Sequence, residues 1–86
     1  MEFRVEIASQ PIKFIKKLNE DDKRRILKKL REISCQPLQR DSKIVEGRKE
    51  RTYRVRVGNY RILYHVFWDK KVILVSIIDK RARVYR

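Results

Sequence analysis

The run "TYRVRVGNYRILYHV" at residues 52–66 is the feature that most limits how this chain can fold. It contains two stretches rich in β-branched and aromatic residues, separated by Gly58 and Asn59, and this pair suits the two-residue turn of a β-hairpin. A two-residue turn fixes the register of the strands and places Arg56 opposite Arg61. The sequence therefore predicts a tight hairpin in which two arginines face each other directly.

The alternation of side chains along the two strands sorts them onto two faces. One face is apolar and is expected to receive the helices. Its members are Tyr53, Val55, Val57, Tyr60, Ile62, Tyr64 and Val66. The other, which we call the arginine face, carries Arg54, Arg56, Arg61, Leu63, His65 and Phe67. Opposed like charges on a sheet cost up to about 1 kcal/mol, and a bound anion reverses that cost. The three arginines therefore predict a phosphate site, although their side chains can also splay into solvent.

The first part of the chain predicts a strand followed by a short helix. "FRVEIA" at residues 3–8 alternates apolar and charged side chains, the pattern of a strand with one buried face. Ser9 is suited to cap the next helix and Pro11 to occupy its first turn. The helix is expected to end at Asn19. Its apolar positions recur at helical spacing, at Ile12, Ile15 and Leu18.

A second helix is predicted directly afterwards. Asn19 or Asp21 can cap it, and the acidic residues that follow are favoured at its positive N-terminal end. Its apolar stripe consists of Ile26, Leu27, Leu30 and Ile33. The cations on its other faces are Lys23, Arg24, Arg25, Lys28, Lys29 and Arg31. Such a basic side is either a solvated surface or a stripe that contacts phosphates, and the pattern leaves both interpretations open.

The rest of the chain completes an α+β fold. Residues 35–50 predict a loop, from which Leu38, Ile44 and Val45 are expected to reach the core. "KVILVSII" at residues 71–78 is apolar at consecutive positions, as in a strand covered on both faces. The predicted order is β-α-α-β-β-β, a two-helix hairpin packed on one face of a mainly antiparallel twisted sheet. Residues 1–86 are expected to form a single domain.

Charge is the most informative bulk property of the chain. Its 24 lysines and arginines outnumber 11 acidic residues, which gives a net charge of +13 over 86 residues. The excess is uneven, because residues 51–86 contain 10 basic and 2 acidic side chains. Such a balance is typical of a protein that binds a polyanion, and nucleic acid is the expected partner.

Cysteine content and hydropathy exclude several classes of protein. Cys35 is the only cysteine, so an intramolecular disulfide is impossible, and no Cys/His cluster has zinc-ligand spacing. We therefore expect neither a metal nor another cofactor. No segment approaches the length of a membrane span, and the N-terminus lacks the pattern of a secretory signal. A soluble cytoplasmic protein without a membrane partner is expected.

Two sequence patterns resemble the RelE/ParE superfamily of bacterial and archaeal toxins, most closely its RelE branch. The first is the hairpin run "YRVRVGNYRILYHV", and the second is "IIDKRARVYR" at residues 77–86. The resemblance covers nearly the whole chain in order and length. It implies a ribosome-dependent endoribonuclease that cuts messenger RNA in the ribosomal A site.

The resemblance also implies which residues carry the chemistry. The matching positions are Arg54, Arg56, Arg61, Arg81 and Tyr85. We expect Arg61 and Arg81 to bind the scissile phosphate, and Tyr85 to stack on a base or accept a proton. At positions 54 and 56 the best-known relatives carry lysines, and arginine exchanges a proton near neutral pH far less readily. Attack by the RNA 2′-hydroxyl needs no metal, so we expect metal-independent cleavage.

Further cations are expected to bind RNA through its phosphates. They lie on the second helix and near the end of the chain, at Lys23, Arg24, Lys28, Arg31, Lys80, Arg83 and Arg86. His65 is the only histidine and lies on the arginine face. We expect it to make a structural hydrogen bond rather than to act as a general base.

The resemblance implies a RelB-like antitoxin, the ribosome and messenger RNA as partners, with operator DNA bound only through the antitoxin complex. We expect an acidic amphipathic antitoxin segment to cover the arginine face, where Leu63 and Phe67 are expected to be exposed. Two alternatives stay open. A ParE-like toxin shares the fold and inhibits DNA gyrase without cleavage, and a catalytically degenerate homologue only binds antitoxin or nucleic acid.

Overall fold

The computed structural model describes residues 2–80 of the chain. The elements within this range are β1 (Arg4–Ile7), α1 (Ser9–Lys16), α2 (Glu20–Cys35), β2 (Lys43–Ile44), β3 (Tyr53–Val57), β4 (Tyr60–Phe67) and β5 (Val72–Lys80). The α+β class and the order of the six predicted elements are confirmed. The short strand β2 is additional, since it lies in the segment predicted to be a loop.

The five described strands form one sheet in the order β1-β5-β4-β3-β2. β1 runs parallel to β5, and the other neighbouring strands are antiparallel. The sheet is therefore mainly antiparallel, as predicted, with the long strand β4 in its middle. Lys80 at the end of β5 pairs with Tyr60 at the start of β4. The described chain consequently ends beside the hairpin turn.

The predicted hairpin is formed by β3 and β4 in the predicted register, with Arg56 opposite Arg61. Of the two turn residues, Gly58 has a positive φ of +57° and Asn59 does not. A positive φ at the first central residue alone is the pattern of a type II′ turn, which suits the twist of antiparallel strands. A Cβ atom at Gly58 would lie 3.1 Å from Nη1 of Arg25. Glycine at this position therefore leaves room for the end of the Arg25 side chain beside the turn.

A β-bulge interrupts the pairing of β4 with β5. Leu63 pairs with Ile77, but the next residue, Tyr64, pairs with Val75. Ser76 is thus the extra residue on β5, and its hydroxyl donates a hydrogen bond to the Leu63 carbonyl oxygen at 3.3 Å. The bulge changes the alternation of β5 side chains and so sets which residues after it share a face with the arginines.

The core lies between the helices and one face of the sheet. Its buried members are Ile26, Leu30, Ile33, Tyr53, Val55, Ile62, Tyr64, Ile73, Val75 and Ile78. The apolar face of the hairpin therefore packs against α2, as predicted. Two of the predicted apolar helix positions do not join the core: the side chains of Leu27 and Ile12 are 44% and 41% exposed. Each follows a buried residue, Ile26 or Pro11, and successive helical residues point about 100° apart.

The two helices begin differently. Asn19 caps α2 as predicted, since its side-chain oxygen accepts a hydrogen bond from the Asp22 N–H at 2.8 Å. The prediction of Ser9 as the cap of α1 is wrong. Ser9 is the first helical residue, and Ala8 occupies the cap position, where it offers no side-chain hydrogen bond. α1 ends at Lys16, earlier than predicted.

Polar contacts fasten the loop after α2 to the sheet. The hydroxyl of the fully buried Tyr64 donates to the Pro37 carbonyl oxygen at 2.7 Å and lies 2.7 Å from the Ser42 hydroxyl. The prediction that Leu38 and Ile44 reach the core is wrong, because they are 44% and 51% exposed.

Candidate nucleic-acid interface

The arginine face lies on the side of the sheet away from the helices. Arg56 on β3 pairs with Arg61 on β4, and Arg61 pairs in turn with Asp79 on β5. The sheet thus places two arginines and one aspartate in a row across three strands. Sequence reasoning missed Asp79 because its register depends on the bulge at Ser76. The carboxylate reduces the net positive charge of the row at the end away from Arg56.

The predicted arginines differ in their exposure to solvent. Arg56 is exposed, Arg54 is half-buried, and Arg61 is only 5% exposed. An arginine stays protonated even when buried, so its surroundings must stabilise the cation. Burial holds Arg61 in one place, and such a fixed cation costs little reorganisation when charge develops beside it.

Apolar side chains occupy the middle of the arginine face. Leu63, two residues along β4 from Arg61, is only 6% exposed, so the prediction that it is exposed is wrong. It lies on the central strand, with Arg54 opposite on one side and Ile77 on the other. Phe67, at the end of β4, is 42% exposed as predicted.

A basic cleft of about 240 Å³ lies between α2 and the end of β3. It is lined by Arg25, Lys28, Lys29, Glu32, Arg56 and Val57. The pairing of β2 with β3 extends only over Tyr53 and Arg54. Arg56 lies beyond that pairing and belongs both to the cleft and to the row with Arg61. It therefore connects the basic side of α2 with the arginine face.

The helical cations predicted to bind RNA differ in their surroundings. Lys23 and Arg24 each lie near an acidic residue three positions earlier on α2, at 3.8 and 3.5 Å. Lys28 lines the basic cleft, and Arg31 is exposed. Arg25 also lines the cleft; it belongs to the predicted basic side of α2, although it was not among the individual residues singled out for RNA binding. Its position three residues before Lys28, on the same side of a helix, is the signal that identifies it.

Four predicted site residues lie outside the described residues, namely Arg81, Arg83, Tyr85 and Arg86. Lys80, predicted to bind RNA, is the last described residue and is exposed. Its neighbour Asp79 lies opposite Arg61. The described chain therefore ends next to the arginine row.

Tyr60 fastens the hairpin turn to α2. Its hydroxyl donates a hydrogen bond to an Asp22 carboxylate oxygen at 2.7 Å, and its ring packs edge-on against Phe14. The hydrogen bond to Asp22, assisted by burial, raises the pKa of Tyr60 above its ordinary value. This contact fixes the start of α2 relative to the turn and thereby positions the basic cleft.

His65 makes the structural hydrogen bond that was predicted for it. Its Nδ1 atom lies 3.2 Å from the Arg51 carbonyl oxygen and 3.4 Å from the Thr52 hydroxyl. Within residues 2–80, no group of three or more histidine, cysteine, aspartate or glutamate side chains is placed to hold a metal ion. The described helices are also too short or too polar to cross a membrane.

The arrangement suits the binding of phosphate groups. Guanidinium groups recognise phosphate oxygens through paired hydrogen bonds and stabilise the negative charge that develops on them. They are poor proton acceptors, because arginine stays protonated at all physiological pH values. The described arginines can therefore hold a phosphodiester and stabilise a transition state, and any proton acceptor must be a different group.

Comparisons with known proteins match the chain over nearly its full length. Residues 5–85 match a family model described as the ParE toxin of the type II toxin–antitoxin system parDE. The RelE1 protein of Methanocaldococcus jannaschii is 30% identical over 89 residues, which cover 100% of this chain and 98% of that relative.

Solved structures extend this similarity to the fold. A chain of the archaeal RelE–RelB complex from Pyrococcus horikoshii OT3 is 33% identical, with a TM-score of 0.84 over 96% of this chain and 99% of that one. The isolated RelE toxin of E. coli is 25% identical, with a TM-score of 0.77 over 96% of this chain and 90% of that one. The fold implied by the sequence resemblance is confirmed.

Proposed function

Because the chain belongs to the ParE/RelE toxin family and is a RelE-like toxin of a type II toxin–antitoxin system, we propose that it cuts messenger RNA in the ribosomal A site. The observation that carries this proposal is the double position of Arg56, which lines the basic cleft and also pairs with Arg61. A continuous basic surface thus runs from α2 to a buried arginine. Such a surface can bind an RNA backbone and direct one phosphate to Arg61.

Cleavage would use the 2′-hydroxyl of the RNA itself. This oxygen loses its proton and attacks the adjacent phosphorus in line, while the bond to the 5′-oxygen breaks and that oxygen takes up a proton. The products are a 2′,3′-cyclic phosphate and a 5′-hydroxyl end. Arg61, assisted by Arg56 and Arg54, stabilises the charge on the phosphoryl oxygens of the transition state.

The proton transfers fall to other groups. Arginines stand at positions 54 and 56, and they do not release or accept protons readily near neutral pH. We assign proton acceptance to Tyr85 and a second phosphate contact to Arg81, on the family resemblance of these positions.

The ribosome would supply the geometry that this small site does not impose. It would hold the message in a bent form in which the 2′-hydroxyl is aligned for in-line attack. This alignment raises the rate of cleavage. The α2 cations Lys23, Arg24, Lys28 and Arg31 would contact ribosomal RNA, while Lys80, Arg83 and Arg86 contact the message. Because the toxin would recognise RNA through its phosphates and shape, we expect its affinity for RNA to fall strongly as the salt concentration rises.

A RelB-like antitoxin is the proposed partner that neutralises the toxin in the cytoplasm. The archaeal relative from Pyrococcus horikoshii was solved in complex with RelB. An acidic amphipathic segment would satisfy both the charge of Arg54 and Arg56 and the exposed ring of Phe67 on the same face. Operator DNA would be bound only through the toxin–antitoxin complex.

A ParE-like inhibitor of DNA gyrase is the second candidate, because the matching family model carries the ParE description. Such a toxin needs no cleavage site, whereas this chain retains Arg61, Arg81 and Tyr85 together. A degenerate homologue that only binds antitoxin or nucleic acid is the third, and the arginines at positions 54 and 56 favour it.

A translation extract separates the three candidates. Purified protein is added to the extract, the 5′ ends of the message are mapped by primer extension, and gyrase supercoiling is assayed in parallel. We expect cuts at a fixed position within codons for the wild type and for Arg40→Ala, an exposed loop arginine, and none for Arg61→Ala. Inhibited supercoiling without cuts would establish the ParE-like activity. A protein that neither cuts the message nor inhibits gyrase would be the degenerate homologue.

A further inference from the structure

A second polar pocket lies beside the loop that precedes β3, at the opposite end of the hairpin from the turn. Its volume is about 310 Å³, and it is lined by Arg48, Lys49, Glu50, Thr52 and His65. We call it the His65 pocket. None of these residues is among the family positions that carry the cleavage chemistry.

Hydrogen bonds determine which ring nitrogen of His65 carries the proton. The Thr52 hydroxyl donates its proton to the Glu50 carbonyl oxygen at 3.1 Å. The same hydroxyl oxygen lies 3.4 Å from Nδ1 of His65, and it can only accept a hydrogen bond there. The Arg51 carbonyl oxygen, 3.2 Å from Nδ1, can only accept. Both contacts require a proton on Nδ1. The Nε2 atom of the neutral ring therefore has a lone pair and is a hydrogen-bond acceptor.

The groups that orient the ring are fixed parts of the fold. Thr52 is fully buried, and the Arg51 carbonyl belongs to the main chain just before β3. His65 itself pairs with Leu74 within the sheet. A histidine oriented through one nitrogen by a carbonyl group, with the other nitrogen left for a ligand, is the arrangement that proteins use to position a binding imidazole.

The His65 pocket lies on the same face of the sheet as the arginine row, further along β4. Residues 61, 63 and 65 of β4 share one face of the sheet, because side chains alternate along a strand. His65 is four residues from Arg61, which corresponds to about 13 Å along the strand. A short length of RNA backbone spans that distance. Arg48 and Lys49 supply positive charge where the next part of such a strand would lie.

We propose that the His65 pocket binds a nucleotide near the cut phosphate, with Nε2 of His65 accepting a hydrogen bond from that nucleotide and Arg48 and Lys49 contacting its phosphate. The donor is a ribose 2′-hydroxyl or a base N–H group. His65 thereby contributes to which codons are cut, and it takes no part in the proton transfers. The relation to the cut phosphate rests on the proposed function, whereas RNA binding in the pocket does not.

The single histidine of the chain allows a direct test. Long-range ¹H–¹⁵N spectra of the labelled protein, recorded at mildly alkaline pH, report the protonated ring nitrogen and any hydrogen bond to the other. We expect the Nδ1–H form in the protein alone and a shifted Nε2 signal once a short single-stranded RNA saturates the protein. The Nε2–H form, or an Nε2 signal that saturating RNA leaves unchanged, would overturn the proposal.

A DNA strand of the same base sequence distinguishes the two donors. A shift of Nε2 that persists with DNA identifies a base N–H group, and a shift seen only with RNA identifies the 2′-hydroxyl. Either result supports the pocket and names the group that it recognises.

Variants test the consequence for affinity and for cutting. His65→Ala should weaken RNA binding about fivefold, as expected for the loss of one hydrogen bond, and His65→Gln should recover part of the loss because its amide oxygen accepts. Ile12→Ala, an exposed position on α1 outside the pocket and the arginine face, should bind as the wild type does. RNA affinity that neither His65 variant changes would contradict the proposal.

In the translation extract, His65→Ala should still cut but at a changed distribution of codons, whereas Arg61→Ala should not cut. An unchanged distribution would remove His65 from codon choice. A wild-type protein that does not cut would refute the proposed function alone, because the histidine spectra still decide whether the pocket binds RNA.

Discussion

Arg56 and Arg61 are direct cross-strand partners on the hairpin, and the carboxylate opposite Arg61 on the next strand belongs to Asp79. Two arginines in register repel each other, and the pairing places Asp79 beside Arg61 on the side away from Arg56. Arg56 is the exposed member of this arginine pair, whereas Arg61 is only 5% exposed. This explains how one residue can serve both the arginine face and the basic cleft.

Arg56→Ala is expected to weaken binding of single-stranded RNA by removing the cation that connects these two surfaces. Loss of one phosphate contact should lower the slope of log affinity against log salt by about 0.7. The free energy of unfolding should change by less than about 0.5 kcal/mol, because the residue is exposed. Fluorescence anisotropy in a salt series and urea unfolding measure the two effects. An unchanged salt slope would show that Arg56 does not contact RNA.

Gly58→Ala and Gly47→Ala form a matched pair. Both glycines have positive φ, +57° and +80°, so alanine at either position should cost about 1 kcal/mol of stability. A Cβ at Gly58 would meet Arg25 at 3.1 Å, whereas one at Gly47 would meet nothing within 4 Å. Only Gly58→Ala should therefore also reduce RNA affinity, by displacing Arg25 from the cleft. Equal RNA affinities of the two variants would contradict a role of Arg25.

Tyr60→Phe is expected to lower the free energy of unfolding by about 1 kcal/mol at neutral pH, because the hydrogen bond to Asp22 is lost. That contact raises the pKa of Tyr60 above 10.0, so the folded chain holds the tyrosine proton more tightly than the unfolded chain. The stabilisation is full below about pH 10 and is lost as pH rises through the folded pKa. Urea unfolding at neutral and alkaline pH should show the difference between the two proteins shrinking. A difference that grows with pH would contradict this account.

Tyr64→Phe is expected to lower the free energy of unfolding by about 1–3 kcal/mol, because it leaves the buried Pro37 carbonyl oxygen without its tyrosine donor. Burial raises the pKa of Tyr64 despite the opposing hydrogen bond to Ser42. Ser42→Ala removes the second contact of the same hydroxyl and also the hydrogen bond from the Gln39 N–H to Ser42. It should still cost less, since Ser42 and Gln39 are both only half-buried. Thermal unfolding compares the variants. A larger effect of Ser42→Ala would reverse the assignment of the main anchor.

The hairpin could be predicted in detail because its register depends only on neighbouring residues. A two-residue turn at Gly58 fixes every pairing of β3 with β4, and alternation then fixes the faces. The helix cap at Asn19 could be predicted for the same reason, because its hydrogen bond is with Asp22, three residues further along the chain. By contrast, Ser9 has the chemistry of a cap, but the helix begins at it rather than after it.

The missed features depend on contacts between distant segments. Asp79 joins the arginine row only because β5 lies beside β4 with a bulge at Ser76. The basic cleft forms only when α2 packs against the end of β3. The alternation of side chains along β4 places Leu63 on the arginine face, but it does not show that Leu63 is buried there. The His65 contacts with residues 51 and 52 likewise arise from pairing of the strands, so the sequence predicts a structural histidine but not its tautomer.

Ribosome-dependent cleavage is tested by comparing two messages in the same translation extract, one intact and one whose start codon is removed. We expect the wild-type protein to cut the translated message in phase with its codons and to leave the untranslated message whole, and Arg61→Ala to cut neither. Equal cutting of both messages would contradict ribosome dependence, and no cutting of the translated message would contradict the proposed endoribonuclease itself.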